Sequence, residues 1–243
     1  MSGGATGSTP APGRLLLLVR HGVTDWNREG RFQGHMDPPL ADAGRRQAEL
    51  LGERLARTEP RPQLIVASPL DRALHTARLI ATALRETGDP PRLVSDGRLM
   101  EIGQGDWEGR THAELAVEDA ERYAAWRTSG TDLQPPNAEP IDDAYRRVGE
   151  LLDEVLPSAA EHVVCLVSHG GTLRLLALRL LELSVARTWE VDLDNASLSQ
   201  LTSIEDAHAP GGGWRLDRWN DVRHLLGRMP THVDESEGSP LAL

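Results

Sequence analysis

The chain has 243 residues, 39% hydrophobic and 26% charged, with 26 basic against 37 acidic side chains and a formal net charge of −11. That size and balance suit one globular α/β domain with its own core, and the acidic excess argues against a nucleic-acid partner, which needs a basic face to displace counterions. Every basic residue is arginine, which excludes a lysine-built phosphate loop, a Schiff base and a kinase-type strand lysine; the single cysteine, Cys165, excludes disulfides and cysteine-built zinc sites.

Residues 1–13 are small, polar and proline-containing, which predicts a disordered lead rather than a signal peptide. No apolar run approaches membrane-spanning length, so a cytoplasmic protein without a membrane partner is expected. Residues 15–19 are the first strand candidate, and Arg20-His21-Gly22 with Thr24 and Asn27 reads as a tight turn facing a ligand. Helical spacing over residues 42–57 and 70–86 brackets a second strand at 64–67. From 98 to 140, Gly103, Gly105, Gly109, Gly130 and the Pro135-Pro136 pair break the chain into short pieces, which predicts a lid-like insertion over the sheet edge.

Residues 141–156 repeat apolar positions at helical spacing, with Pro140 at the start and Pro157 expected to close the helix. A third strand is expected at 163–167, where Cys165 reads as a small buried thiol. A buried helix at 173–183 and strands at 191–204 and 214–219 follow, and residues 228–243 are expected to form a flexible tail. The predicted fold is a three-layer α/β/α sandwich with a mostly parallel central sheet, one domain spanning 14–227. The six tryptophans, at 26, 107, 126, 189, 214 and 219, read as packing residues.

Each of the three main strands runs straight into a basic or histidine-bearing turn: Arg20-His21-Gly22, Ser68 to Arg72, and Ser168-His169-Gly170-Gly171. In a parallel sheet these turns share one edge, so two histidines and two arginines converge, with helix amino termini expected to add partial positive charge. An unprotonated imidazole is a nucleophile, and the arginine fork matches phosphate oxygens. One Arg-His pair among so many arginines is unremarkable by chance; three strand ends bearing this chemistry together point to phosphoryl transfer.

Five blocks in order, LVRHGVTDWN, RFQGHMDPPLADAGRRQA, ASPLDRALHTA, LMEIGQGDWEG and LVSHGGTLR, resemble the histidine phosphatase superfamily, also called phosphoglycerate mutase-like, from about residue 14 to 220. The resemblance implies that His21 is the nucleophile that becomes phosphohistidine and that Arg20, Arg72 and a protonated His169 clamp the phosphoryl oxygens. It implies a further phosphate contact at Asn27, a substrate-closing loop at Gln33 and Gly34, and the general acid and base at Glu101. Gly170 belongs to the same substrate-binding set. No metal and no cofactor are expected, because guanidinium groups can stabilise the transferring phosphoryl group.

The implied activity is hydrolysis of a small-molecule phosphomonoester. Return of the phosphoryl group to another hydroxyl, as in a mutase, is the alternative. The segment after Glu101 is short and acidic, with Arg110 its only basic residue, which favours the phosphatase. DNASLSQL and WRLDRWN resemble actinobacterial members of the family that act on glucosyl-3-phosphoglycerate; another sugar or metabolite phosphate is the related alternative. PPNAEP at 135–140 departs from the Gly-Glu-Ser element of relatives, with Glu139 as its counterpart. A noncatalytic phospho-ligand binder is a third reading, disfavoured because every catalytic position is filled. A homodimer paired through an edge strand near Val191 to Leu193 is a further expectation.

Overall fold

Six strands, β1 (Leu15–Arg20), β2 (Leu64–Ala67), β3 (Arg92–Ser95), β4 (Val163–Ser168), β5 (Leu198–Ile204) and β6 (Gly213–Asp221), form one sheet in the order β3-β2-β4-β1-β5-β6. The computed structural model describes residues 14–129, 133–158, 163–188, 191–204 and 213–228. The pairings from β3 through β1 are parallel, and β5 and β6 add antiparallel pairings at one side. The helices are α1 (Asp25–Arg28), α2 (Asp42–Ala56), α3 (Asp71–Thr87), α4 (His112–Glu118), α5 (Ala120–Ser129), α6 (Ile141–Ser158) and α7 (Gly170–Leu180).

The continuous apolar runs in the sequence are strands buried on both faces. Successive side chains of a strand point to opposite faces. Leu16 and Leu18 of β1, with Leu64 and Val66 of β2 and Val164 and Leu166 of β4, pack under α6 and α7. Leu17 and Val19, with Ile65, Ala67, Cys165 and Val167, pack under α2 and α3. Burial pushes the Cys165 thiol up to about 12, so it stays protonated and serves as core.

Several boundaries differ from the sequence expectations. α6 runs through Pro157 to Ser158, because a proline in the last turn removes a single backbone donor and the helix ends one residue later. α7 begins at Gly170 rather than 173: His169 is extended and caps it, and the two glycines occupy a first turn whose amides need no intrahelical partner. It ends at Leu180, and Glu182 then adopts a left-handed φ of 55°. Only 198–204 of the expected 191–204 strand is formed, since Ala196 at φ 55° breaks the extended chain. The expected pairing edge near Val191 to Leu193 is therefore irregular, and β6 forms that border of the sheet. β3 went unnoticed because it is the other border: Arg92, Val94 and Ser95 are exposed and supply no apolar run.

Between β3 and α6 the chain builds a small core of its own. Phe32, Trp107, Leu115, Tyr123 and Trp126 are each at most 5% exposed and pack with ring centroids 5.3–5.9 Å apart where they touch. Phe32 exchanges backbone hydrogen bonds with this segment, its amide donating to Arg110 O at 3.0 Å and its carbonyl accepting from Gly109 N at 2.8 Å. Of the tryptophans, Trp107 and Trp126 are core, Trp26, Trp214 and Trp219 are half-buried, and Trp189 lies outside the described residues. The expected lead at 1–13 and the tail beyond 228 also lie outside them. Among the described residues no helix is long and apolar enough to cross a membrane.

The turn after β1 is seated on α2 by two glycines. A Cβ at Gly44 would stand 2.1 Å from Val23 O, and one at Gly22 would stand 2.3 Å from Gly44 O. Both obstacles are backbone, so a side chain forces the turn and helix apart. In an open helix Gly to Ala stabilises by up to about 1 kcal/mol; here the sign reverses. Gly44→Ala is expected to cost roughly 1–3 kcal/mol in denaturant unfolding, and a variant as stable as the parent would contradict the contact.

His112 sits in the aromatic core, stacked on Trp126 and bonded through Nδ1 to the Tyr123 hydroxyl at 3.0 Å. Burial, and then the Arg127 charge, lower its pKa from 6.5 to about 4. Between those values the unfolded chain binds a proton that the folded chain refuses, so stability falls as pH falls. This group accounts for up to roughly 3 kcal/mol of loss from pH 7 to pH 4. Unfolding midpoints measured across that window should flatten in His112→Gln.

Candidate active site

The parallel register brings three chain segments to one sheet edge. Arg20 pairs with Ser168 and Ala67 with Val167, and the ladder continues past the strand ends through His21 N to Ser168 O at 3.0 Å and Ser68 N to Val167 O at 2.9 Å. Arg20, His21, His169 and, from the first turn of α3, Arg72 are therefore delivered together, each at most 3% exposed. The carboxyl edge of such a sheet is where α/β folds carry ligands.

His21 is held as a neutral imidazole of one tautomer. Its Nδ1 donates to Gly22 O at 2.7 Å, which leaves Nε2 unprotonated. Burial, then the charges of Arg72 and Arg20, hold its pKa well below 6.5. Its carbonyl accepts from Ala196 N at 3.0 Å and Asn195 Nδ2 at 3.1 Å, and the next amide, Gly22 N, donates to Thr76 Oγ1 at 3.0 Å. The ring is thus fixed from both sides of its peptide.

The ring of His169 lies 5.1 Å from that of His21, tilted by 56°. The Ser68 hydroxyl accepts from Leu70 N at 3.3 Å and is hydrogen-bonded to His169 Nε2 at 2.8 Å. His169 Nδ1 is buried with no hydrogen-bond partner among the described residues. Burial, then the charges of Arg72 and Arg20, lower the pKa of this histidine well below 6.5 as well. The expected protonated state is therefore disfavoured by the site's own field and is promoted by a compensating negative charge.

The two guanidinium groups are fixed by carbonyls. Arg20 donates through Nη1 to Leu193 O. Arg72 donates to Met36 O at 2.8 Å and Gly34 O at 2.9 Å, with Asp37 at 3.7 Å. The Nε of each is buried without an acceptor among the described residues. Burial lowers Arg72 to about 10, which leaves it a cation at neutral pH.

The remaining expected residues surround this group. Asn27 completes a capping box with Thr24, its Oδ1 accepting from Thr24 N at 3.0 Å and Asn195 Nδ2 at 3.3 Å. Gln33 accepts from Thr24 Oγ1 at 3.1 Å and is 3% exposed. Gly34 takes φ 48° and presents its carbonyl to Arg72; a Cβ there would stand 2.8 Å from Gln104 N. Gly170 leaves room for Arg20, whose Cζ would lie 3.7 Å from a Cβ at that position.

Glu101 is 3% exposed and its carboxylate accepts from Ile102 N at 2.9 Å, Thr172 N at 3.1 Å, Gly171 N at 3.2 Å and Thr172 Oγ1 at 3.3 Å. The amino terminus of α7 is therefore occupied by Glu101. That of α3 is occupied by Asp37, whose Oδ1 accepts from Asp71 N at 2.8 Å. This corrects the expectation that helix amino termini face the phosphoryl group: both meet carboxylates, and arginine and histidine N–H groups line the centre.

Three residues of the site escaped the sequence reading. Ser68 orients His169, and Asn195 ties the His21 carbonyl to Asn27. Arg174, 5% exposed, donates to Val191 O at 2.8 Å and places Nη1 3.2 Å from the Cβ position of Gly170. Its spacing of four from Gly170 on one helix was a usable signal; Asn195 had none, since it reaches the site only through a long-range loop. Among the described residues no group of three or more His, Cys, Asp or Glu could hold a metal ion.

The family model of the histidine phosphatase superfamily (branch 1) matches residues 16–222. The chain is 37% identical over 222 residues to glucosyl-3-phosphoglycerate phosphatase of Mycobacterium tuberculosis, covering 85% of this chain and 94% of that one. It is 34% identical over 211 residues to a metal-independent phosphoserine phosphatase of Arabidopsis thaliana, covering 86% and 82%. The solved structure of a mycobacterial glucosyl-3-phosphoglycerate phosphatase with VO3 superposes with a TM-score of 0.73 at 37% identity, over 85% of this chain and 98% of that one. A match over most of the chain in sequence and fold together makes this protein a member of the histidine phosphatase superfamily, branch 1, and a phosphatase.

Proposed function

We propose that the protein is a metal-independent phosphomonoesterase that works through a phosphohistidine at His21. The observation that carries this reading is the set of buried side-chain nitrogens beside His21 that have no hydrogen-bond partner among the described residues: Arg20 Nε, Arg72 Nε and His169 Nδ1. Each such group costs roughly 1–3 kcal/mol when unpaired. A phosphoryl dianion supplies the acceptors and the negative charge that lets His169 protonate. Nε2 of His21 attacks phosphorus while Nδ1–H stays on Gly22 O.

In the first step Glu101 gives its proton to the leaving alcohol. In the second it takes one from the water that attacks phosphohistidine, which restores the enzyme. Hydrolysis is favoured over mutase-type transfer because Arg110 is bound to Glu118 within its own segment and is not offered to a second anionic group. Glucosyl-3-phosphoglycerate is the first substrate to try, on the strength of the mycobacterial relative; phosphoserine follows from the plant relative. The 98–140 segment, anchored by Phe32, serves as the substrate-selecting lid.

His21→Ala is expected to lower phosphate release by at least about 10⁴-fold, on the scale set by loss of a covalent nucleophile. Rapid quench of the parent enzyme at high pH should trap acid-labile phosphate on His21, and turnover by the alanine variant at the parental rate would sink the assignment. A panel of glucosyl-3-phosphoglycerate, 3-phosphoglycerate, phosphoserine and sugar phosphates, each with and without EDTA, ranks the substrates. Rates are expected to be the same in both arms, and loss in EDTA would show that a metal takes part.

A further inference from the structure

The backbone that carries Glu101 is pinned at four consecutive carbonyls by side chains from other elements. Arg98 O accepts from Arg147 Nη1 at 2.6 Å, Leu99 O from Ser168 Oγ at 2.7 Å, and Met100 O from Thr172 Oγ1 at 2.7 Å. Glu101 O accepts from His35 Nε2 at 2.9 Å and Arg147 Nη2 at 3.2 Å. Arg147, on α6, therefore grips both ends of this strap. It is itself gripped by Glu139, through Nε to Oε1 at 2.7 Å and Nη2 to Oε2 at 2.9 Å.

Glu139 closes the ring on the far side of Glu101. Its Oε2 accepts from Gly103 N at 3.2 Å, and its amide donates to Gly103 O at 2.9 Å. Arg147 and Glu139 are 17% and 18% exposed, so the pair is largely shielded from solvent and bidentate, the geometry in which an arginine-carboxylate pair holds position best. Neither residue lies on the sheet.

We infer that the Arg147–Glu139 pair positions Glu101 for proton transfer to the leaving alcohol, so that the departing PPNAEP segment supplies a positioning residue. The inference rests on the role of Glu101 proposed above. Glu101 can only protonate an alkoxide if its carboxyl group is held within hydrogen-bond reach of the bridging oxygen. The backbone amides of Ile102, Gly171 and Thr172 fix the carboxylate, and the Arg147–Glu139 pair fixes the backbone from which it hangs. Arg147 and Glu139 themselves transfer no proton.

The test uses the dependence on the leaving group. An alkyl phosphate needs its oxygen protonated as it departs; p-nitrophenyl phosphate expels a stable phenolate and needs little help. Values of kcat/KM, which run only to release of the first product, are compared for p-nitrophenyl phosphate and for the best alkyl phosphomonoester of the panel. Glu101→Gln sets the scale and should lower the alkyl-to-aryl ratio by about 100-fold. Arg147→Met and Glu139→Gln should lower the same ratio by about tenfold, with melting temperatures recorded for each. Glutamine has one acceptor oxygen where glutamate has two, so it cannot accept from Arg147 Nε and Nη2 on separate oxygens as Glu139 does, and it tests the pair even if Arg147→Met folds poorly.

Equal losses on both substrates in Arg147→Met and Glu139→Gln, beside a changed ratio in Glu101→Gln, would overturn the positioning role and leave Glu101 intact as the acid. An unchanged ratio in Glu101→Gln would overturn the assignment of Glu101, and the positioning role with it.

Discussion

The site depends on burying cations beside neutral imidazoles. Arg20 and Arg72 are 3% and 1% exposed, and the two histidines beside them are as deeply buried, at 2% and 0%. Charges so placed pay a large desolvation cost unless something compensates. The chain compensates in part, with the carbonyls of Leu193, Met36 and Gly34 for the guanidinium groups and that of Gly22 for His21. It stops short: Arg20 Nε and Arg72 Nε are left without an acceptor among the described residues. The same positive field suppresses protonation of His21, which keeps its lone pair available at neutral pH.

Carboxylates complete the balance from outside the cluster. Asp37 and Glu101 each occupy a helix amino terminus, and both pull on the Arg72 charge. Glu101 is thereby both a counter-charge and a group held by backbone amides that themselves belong to a rigid helix. Its own loop has little regular structure, only a single 3-10 turn at Gly97–Leu99 ahead of it. Side chains from β4, α6 and α7 supply the rigidity that hydrogen-bonded secondary structure supplies elsewhere.

The 98–140 segment is joined to this scaffold twice, through the aromatic core at Phe32 and through the Glu139–Arg147 pair. Phe32 precedes Gln33 and Gly34, so one strand of contacts links the aromatic core to the carbonyl that holds Arg72. The other links the end of the segment to the backbone of Glu101. Arg72 and the backbone of Glu101 are thus both tied to this segment.

Periodicity alone determined the three buried strands and the helices between them, because strands apolar on both faces and helices apolar on one leave strong, short-range patterns. It also determined that His21, Arg20, Arg72 and His169 share an edge, since parallel strands must end together. Resemblance was needed to pick Glu101 from the acidic residues: its backbone donors come from Ile102 and from α7, about 70 positions away, and leave no local trace. The tertiary structure alone decided the ionisation of His21 and His169, which depends on burial and on charges from three separate strand ends. It alone decided that helix amino termini serve carboxylates, that Asn195 reaches the nucleophile, and that Glu139 is bound to Arg147. Edge strand β3 has no apolar run to announce it, because one side of it is exposed, and the left-handed turn at Ala196 that shortens the expected 191–204 strand is invisible to apolar pattern.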